Sequence, residues 1–243
     1  MSGSSYRGRI YETYASRFQD AAPGFDAQAA EAWGRPYDRY LRGWLPGDPA
    51  AAIIDLACGG GRTLHFFKRR GYTGLQGVDI SPEQVRLALQ VLPDVREGSV
   101  GEYLATRENT YDLAIGLDIV EHLKKDEVLP FLEACFGALK RGGRLVLQTP
   151  NADSPFVGSC RYGDLTHEVC FTPNALGRLL RLCGFKSVEA REAGPVVHGP
   201  ASSIRWLTWQ VLRAALCAYN LAETGTIGSG VYTRNFLITG RKT

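Results

Sequence analysis

The sequence has 243 residues, of which 44% are hydrophobic and 22% are charged, and its formal net charge is +3 at pH 7. This composition excludes an intrinsically disordered chain, and so small a net charge argues against a nucleic-acid partner. The six cysteines show no CxxC pair, residues 1–10 show no secretory signal, and no stretch is apolar enough to span a bilayer. We therefore expect residues 1–243 to form a single cytoplasmic domain with no stable membrane contact.

Residues 6–45 read as helical with many aromatic side chains, and this segment ends at a Pro-Gly-Asp-Pro break. The aromatic residues either pack against the domain or form a lid over a ligand. Strands are then predicted at 51–56, 74–79, 95–100, 111–117, 144–149, 186–192 and 234–240, and helices at 63–70, from 81, and at 125–139, 174–183 and 204–221. This alternation predicts a doubly wound α/β fold with a mostly parallel sheet, which binds ligands at the carboxyl ends of its strands.

A glycine-rich turn follows the first of these strands. Asp55 precedes the turn, Gly59 and Gly61 lie in it, and Asp79 ends the next strand. Glycines let the backbone approach a ligand closely, and the two acids suit an ammonium group and a pair of ribose hydroxyls. A dinucleotide-binding GxGxxG loop is disfavoured, because Leu64 stands where the last glycine is needed.

The segments IIDLACGGGRTL, LQGVDIS, YDLAIGLDIVEHL and LKRGGRLVLQTPN resemble class I S-adenosylmethionine-dependent methyltransferases. The resemblance implies a Rossmann-like, seven-stranded sheet of order 3-2-1-4-5-7-6 with a reversed last hairpin. It also implies an N-terminal helical cap (1–48), a cofactor-binding half (50–150) and an acceptor-side half (151–243) with a helical insertion (200–225). The implied cofactor-binding residues are Asp55, Ala57, Cys58, Gly59, Gly61, Asp79, Ile80, Ser99, Val100 and Leu117. Two of these depart from the family pattern: Ala57 replaces the usual first glycine, and Ser99 stands where many relatives carry an acid.

A second group of polar residues follows the fourth strand. If a helix opens there, Asp118, Glu121 and His122 lie at positions i, i+3 and i+4 on one face, and the loop after the fifth strand brings His167 towards them. This pattern resembles ubiquinone-pathway O-methyltransferases and small-RNA 2′-O-methyltransferases, in which the matching residues bind a divalent metal. The resemblance implies an Mg²⁺ or Mn²⁺ site at these four residues, with Glu121, His122 and His167 as catalytic residues.

Two alternatives to a metal site stay open. His122 or His167 can act as a general base without metal, and Glu121-His122 can simply cap a helix and line the pocket. The sequence pattern TPN…DLTHE…FTP is also similar to that of methyltransferases from bacterial glycan and sugar-modifying pathways.

The predicted helix at 204–221 is amphipathic. It covers the sheet or forms a dimer interface, closes as a lid over substrate, or lies on a membrane surface through Trp206 and Trp209.

We expect methyl transfer from S-adenosylmethionine to a hydroxyl of a small polar acceptor, namely a sugar, nucleotide-sugar or glycan, leaving S-adenosylhomocysteine. The alternatives are a metal-free N-methyltransferase of small amines and a non-catalytic scaffold that retains the cofactor fold.

Overall fold

The computed structural model describes residues 6–18 and 24–243 and contains a seven-stranded sheet. The strands are β1 (Ala52–Leu56), β2 (Gly74–Asp79), β3 (Val95–Glu97), β4 (Tyr111–Leu117), β5 (Leu139–Pro150), β6 (Lys186–Glu192) and β7 (Asn235–Arg241). Their spatial order is β3-β2-β1-β4-β5-β7-β6, and β7 alone among them runs antiparallel to its neighbours. The predicted strand order and the reversed last hairpin are therefore confirmed.

Helices cover both faces of the sheet. They are α1 (Tyr6–Tyr11), α2 (Tyr14–Phe18), α3 (Ala27–Gly34), α4 (Tyr37–Tyr40), α5 (Arg62–Arg69), α6 (Pro82–Ala88), α7 (Val100–Ala105), α8 (Lys125–Ala138), α9 (Val157–Arg161), α10 (Pro173–Leu182) and α11 (Pro200–Thr224). Successive residues of a strand point to opposite faces, so Ile53 packs with Phe67 of α5 while Ile54 packs with Leu132 of α8. Each such buried Leu, Ile or Phe contributes about 1.5–3 kcal/mol. The doubly wound arrangement brings the loops that follow β1, β2, β4 and β5 to one edge of the sheet.

The third strand is shorter than predicted. Its pairing with β2 ends at Glu97, and the Gly98 N–H donates a hydrogen bond to the Asp79 carbonyl. Ser99 then precedes helix α7, which begins at Val100, so the prediction of strand as far as residue 100 was wrong. The turn places residues 98–100 beside the end of β2.

The helix expected to open at Asp118 does not form there. Asp118 has a φ of 59°, which is left-handed, and its N–H donates to the Gln148 carbonyl of β5. A single 3-10 turn (Val120–His122) follows, and the α-helix begins only at Lys125. The i, i+3, i+4 face was therefore a wrong prediction, because a left-handed residue cannot belong to an α-helical turn.

The N-terminal segment forms short helices instead of one long helical region. Part of that prediction, residues 19–23, lies outside the described residues. Helix α1 is tied to the domain by an ion pair between Arg7 and Glu127 at 3.0 Å, and α2 by hydrogen bonds from Ser16 to Glu83. These contacts hold α1 and α2 over the carboxyl edge of the sheet.

Helix α11 extends the helix predicted at 204–221 at both ends, within the predicted insertion 200–225, and its apolar stripe does not cover the sheet. Val211 is 70% exposed and Ile204 is 65% exposed, so that interpretation was wrong. The side of the helix towards the domain carries polar contacts such as Trp209 Nε1 to Glu192. Among the described helices, none combines the length and hydropathy needed to cross a membrane.

Candidate active site

The glycine turn after β1 has three residues with positive φ: Ala57 at 58°, Gly59 at 51° and Gly61 at 89°. Gly61 is the N-cap of α5, and a Cβ on it would lie only 3.0 Å from the Ala88 backbone, so this position requires glycine. Ala57 has a Cβ and takes the same conformation at a cost of roughly 1–2 kcal/mol. The turn is thus built so that its backbone, rather than side chains, faces the cavity.

Asp79 holds this turn from the neighbouring strand. One carboxylate oxygen accepts a hydrogen bond from the Gly59 N–H at 2.8 Å, and the other accepts one from the Ser81 N–H at 2.8 Å. Burial raises the pKa of Asp79 above its usual value, and the backbone donors oppose that rise. Asp79 lines the main cavity, as does Ser81, whose buried Oγ has no hydrogen-bond partner among the described residues. The Asp79 carboxylate can therefore accept hydrogen bonds from a bound diol, and the Ser81 hydroxyl can donate one to it.

Asp55 behaves differently from the expectation. It is fully buried and does not line the cavity, and neither of its carboxyl oxygens makes a close hydrogen bond within the described chain, although the Thr63 hydroxyl is near enough to oppose the rise in its pKa. Burial, followed by the proximity of Asp79, raises its pKa well above the usual range. Asp55 thus lies beneath the turn rather than on its ligand side.

The rest of the cofactor side largely follows the sequence prediction. Of the ten predicted residues, all except Asp55 and Gly61 line the main cavity, namely Ala57, Cys58, Gly59, Asp79, Ile80, Ser99, Val100 and Leu117. Ile80 is an apolar side chain exposed within this cavity. Gly60, which lies within the implied segment 55–61, also lines it, as do Thr63 and Glu97, which were not predicted.

At the other end of the same cavity, three side chains converge. One ligand atom from each of Glu121, His122 and His167 lies within 4.8 Å of the other two. Asp118 lines the cavity but does not belong to this group of ligand atoms. Its carboxylate accepts hydrogen bonds from Gln148 Nε2 at 3.1 and 3.2 Å, and Gln148 in turn accepts one from the Tyr37 hydroxyl.

The hydrogen bonds around the two histidines fix which ring nitrogen carries the proton. Thr166 Oγ1 lies 2.6 Å from an Asp164 oxygen, which can only accept, so the hydroxyl proton points there. His122 Nδ1, 2.8 Å from the same hydroxyl, must then be the donor. His167 Nδ1 lies 2.7 Å from the Cys160 carbonyl and must donate as well. When such a ring is neutral, Nε2 therefore carries the lone pair, which is the form in which histidine binds a metal.

Burial governs the charges of this cluster. Burial, followed by the neighbouring His167, lowers the pKa of His122 to about 4, so this ring is neutral at physiological pH. Burial, followed by the proximity of Asp118, raises the pKa of Glu121 well above its usual range. Glu121 Oε2 accepts a hydrogen bond from Thr149, whereas its buried Oε1 has no partner among the described residues. An unpartnered carboxylate oxygen beside two imidazole lone pairs is a set of donors suited to a cation.

Asp164 completes the support of His122. Partial burial tends to raise the pKa of Asp164, but hydrogen bonds from Thr166 and Tyr14 outweigh this effect and hold the pKa below its usual value. The Tyr14 hydroxyl donates to the second carboxylate oxygen at 2.7 Å. The sequence analysis named neither Thr166 nor Tyr14 as a functional residue. The signals that could have indicated them were the DLTHE motif and the aromatic N-terminal segment.

The main cavity has a volume of about 1950 Å³ and runs from the glycine turn to the histidines. This exceeds the roughly 300–1000 Å³ typical of a single small-molecule site, so a cofactor and an acceptor fit side by side. Its outer wall is formed by Arg7, Tyr11, Tyr14 and Trp33 of the N-terminal helices. The N-terminal aromatic residues were left open between packing and a lid, and those lining the cavity stand where a lid would be.

Comparison with known proteins gives a family that agrees with this geometry. A sequence profile described as "Methyltransferase domain" matches residues 25–190. Over 109 residues the chain is 31% identical to a ubiquinone biosynthesis O-methyltransferase of Xanthomonas campestris pv. campestris, and this match covers 42% of the chain and 44% of the relative. The chain thus matches less than half the length of this curated relative.

Solved structures share the whole fold. A SAM-dependent methyltransferase from Archaeoglobus fulgidus has a TM-score of 0.64 at 19% identity, covering 98% of this chain and 100% of that chain. The 1,6-didemethyltoxoflavin-N1-methyltransferase of Burkholderia thailandensis, solved with its substrate and S-adenosylhomocysteine, has a TM-score of 0.60 at 21% identity, covering 98% and 89%. Because the profile spans more than half of the sequence, the chain belongs to the methyltransferase-domain family of S-adenosylmethionine-dependent methyltransferases.

Proposed function

We propose that the protein is an O-methyltransferase that positions the acceptor hydroxyl with a divalent cation, Mg²⁺ or Mn²⁺, held by Glu121, His122 and His167. The observation that carries this proposal is that one ligand atom from each of Glu121, His122 and His167 lies within 4.8 Å of the other two, while both Nδ1 atoms are engaged in hydrogen bonds and the buried Glu121 Oε1 has no partner among the described residues. Mixed oxygen and nitrogen ligands with open positions suit a catalytic cation. Asp118 would not hold such an ion directly, since it lies outside the group of ligand atoms and Gln148 already engages its carboxylate.

The donor end is supported by the glycine turn and β2. The residues that would hold S-adenosylmethionine are Gly59 and Gly60 through their backbone, Asp79 and Ser81 through polar atoms, and Ile80 through an apolar face. When bound, this cofactor would supply an electrophilic methyl group: the acceptor oxygen bonds to the methyl carbon as the carbon–sulfur bond breaks, S-adenosylhomocysteine is the leaving group, and the hydroxyl proton is released to solvent. The unpartnered Ser81 Oγ fits a ribose hydroxyl, and the side-chain-free Gly59 leaves room for the ligand backbone to approach.

The acceptor end explains why a cation is favoured over a histidine base. A neutral alcohol is a poor nucleophile, and a bound cation lowers the pKa of a hydroxyl that it contacts. His122, with a pKa of about 4, is a weak proton acceptor at neutral pH but a good neutral ligand. Its ring is fixed by Thr166, in the manner of metal-binding histidines.

A sugar or glycan acceptor is supported by a side cavity of about 360 Å³. This cavity shares Trp33, Asp118 and Asn235 with the main cavity, and Tyr40 and Arg234 also line it. Flat aromatic faces beside hydrogen-bonding groups match a ring that has apolar faces and hydroxyl edges. A hydroxyl-rich acceptor also offers the adjacent oxygens that a cation can bind.

The second candidate is a metal-free N-methyltransferase of a small molecule. It is favoured by the names of structural neighbours, among them the B. thailandensis N1-methyltransferase and a possible histamine N-methyltransferase from Thermotoga maritima, at 15% identity and a TM-score of 0.65. An amine acceptor needs no cation, so the two candidates differ in metal binding.

The test is calorimetric titration of Mn²⁺ into metal-stripped protein loaded with S-adenosylhomocysteine. We expect saturable binding to the wild type and to His198→Ala, a control at an exposed histidine outside the cluster, and its loss in His167→Ala. A screen of sugars and glycans with Mn²⁺ then follows. If the wild type does not bind the metal but methylates amines, the O-methyltransferase proposal is wrong.

A further inference from the structure

Helix α11 has its polar and apolar sides reversed relative to an ordinary surface helix. Polar groups face the domain: Arg213 Nε donates to the Gly230 carbonyl, and Asn220 Nδ2 donates to the Tyr232 hydroxyl. Six large apolar side chains are each more than half exposed, namely Ile204, Leu207, Val211, Leu212, Tyr219 and Leu221. A surface helix normally turns its apolar side inward, and a large exposed apolar face marks an interaction site. We therefore expect another molecule to cover this outward face.

The outward face is long and carries charge only near its two ends. Helix α11 has 25 residues, which corresponds to a length of about 37 Å. The exposed charged residues of this helix are Arg205 near its start and Glu223 near its end. They are separated by five full turns at 3.6 residues per turn, so both lie along the same edge of the apolar face.

This placement is self-complementary under one symmetry. If two copies of α11 pack antiparallel about a two-fold axis, residues at equal distances from the midpoint face each other. The midpoint between Arg205 and Glu223 is Ala214, and each arginine then lies opposite the glutamate of the second copy. In the same register Leu207 lies opposite Leu221 of the second copy. The small, exposed side chains of Ala215 and Ala218 lie on the outward face near this midpoint and let the two helices approach closely where they cross.

We propose that the protein forms a two-fold symmetric homodimer in which the outward face of α11 packs antiparallel against α11 of a second copy. Opposite charges at matching positions, with none between them, specify both the partner and the register. A membrane surface fits less well, because interfacial helices present a face rich in Lys and Arg beside the apolar one. Here Arg205 is offset by Glu223, and Arg213 is turned to the domain.

The register is tested by charge reversal in the full-length protein, with mass measured by sedimentation velocity over a concentration series. We expect a dimer in the wild type, and dissociation constants raised roughly tenfold by Arg205→Glu or Glu223→Arg, each of which creates two repulsive pairs. The double variant restores both pairs with reversed sign and returns to within about twofold of the wild type. A monomer at all concentrations, or a dimer indifferent to the single reversals, would overturn the proposal.

Cysteine cross-linking gives a second test with a matched control. Ala215→Cys places a thiol close to its own copy near the two-fold axis, whereas Ala201→Cys, also on α11, lies far from its copy. We expect a short bis-maleimide to link Ala215→Cys into dimers more than tenfold faster than Ala201→Cys. Equal rates, or a monomer that binds vesicles of anionic phospholipid through α11, would contradict the dimer. Neither test involves the active site, so its outcome is independent of the proposed chemistry.

Discussion

Replacement of Thr166 by valine tests whether the hydrogen bonds behind the histidines prepare them for a cation. Valine has nearly the same shape but cannot accept from His122 Nδ1 or donate to Asp164. The imidazole then loses the partner that holds its proton on Nδ1, so neither the ring orientation nor the lone pair on Nε2 is fixed. Loss of such an outer partner typically weakens metal binding about 10- to 100-fold, which corresponds to about 1.4–2.7 kcal/mol.

The assay is Mn²⁺ titration by calorimetry on protein loaded with S-adenosylhomocysteine. Thr166→Ser keeps the hydroxyl and should bind the metal nearly as well as the wild type. Thr73→Val, the same change at an exposed threonine whose hydroxyl contacts the Pro49 carbonyl, is the control for loss of a hydroxyl alone. Equal Mn²⁺ affinity in Thr166→Val and the wild type would refute the role given to these hydrogen bonds.

Three further predictions concern stability and the N-terminal helices. Ala57→Gly relieves the left-handed strain in the turn and should raise the free energy of unfolding by about 0.5–1 kcal/mol in urea titrations; a decrease would show that the strain is absent. Burial raises the pKa of Asp55 in the folded state above its unfolded value of about 4, so stability is lost as pH rises from the unfolded pKa towards the folded pKa. Over that range the cofactor-free wild type should lose up to about 1.4 kcal/mol per pH unit relative to Asp55→Asn, and parallel pH profiles would contradict this. Tyr14→Phe removes a hydrogen bond to the ionised Asp164, and tryptic cleavage after the exposed Arg17 of α2 should become about tenfold faster, whereas an unchanged rate would mean that this bond does not hold α2 in place.

The fold was predictable because its information is local and repeated. Apolar runs of strand length, bounded by glycines, acids or a proline, predicted the alternation, and the segment around Asp55 and Asp79 carried the family resemblance that supplied the strand order. The conformation of Asp118 was not predictable, since its left-handed backbone depends on a hydrogen bond to Gln148 on a neighbouring strand. A helix was the natural expectation for that stretch from sequence alone.

The candidate site was only half predictable for a related reason. The residue types at Glu121, His122 and His167 were informative, because acids and imidazoles near a cofactor loop suit few purposes. The residues that hydrogen-bond behind this cluster could not be recognised, since Thr166 and Tyr14 are common residue types whose roles depend on contacts across the fold. The side to which the apolar face of α11 turns also depends on tertiary context. Periodicity shows that a helix has an apolar side but not whether the domain or a second copy covers it.

The central claim is tested most directly by a crystal structure of the protein with S-adenosylhomocysteine and Mn²⁺, with anomalous data collected at the manganese edge. The account predicts an anomalous peak bound by Glu121, His122 and His167, with the cofactor product against the glycine turn and Asp79. Product bound at the turn without an anomalous peak at the three side chains would contradict the metal-assisted account.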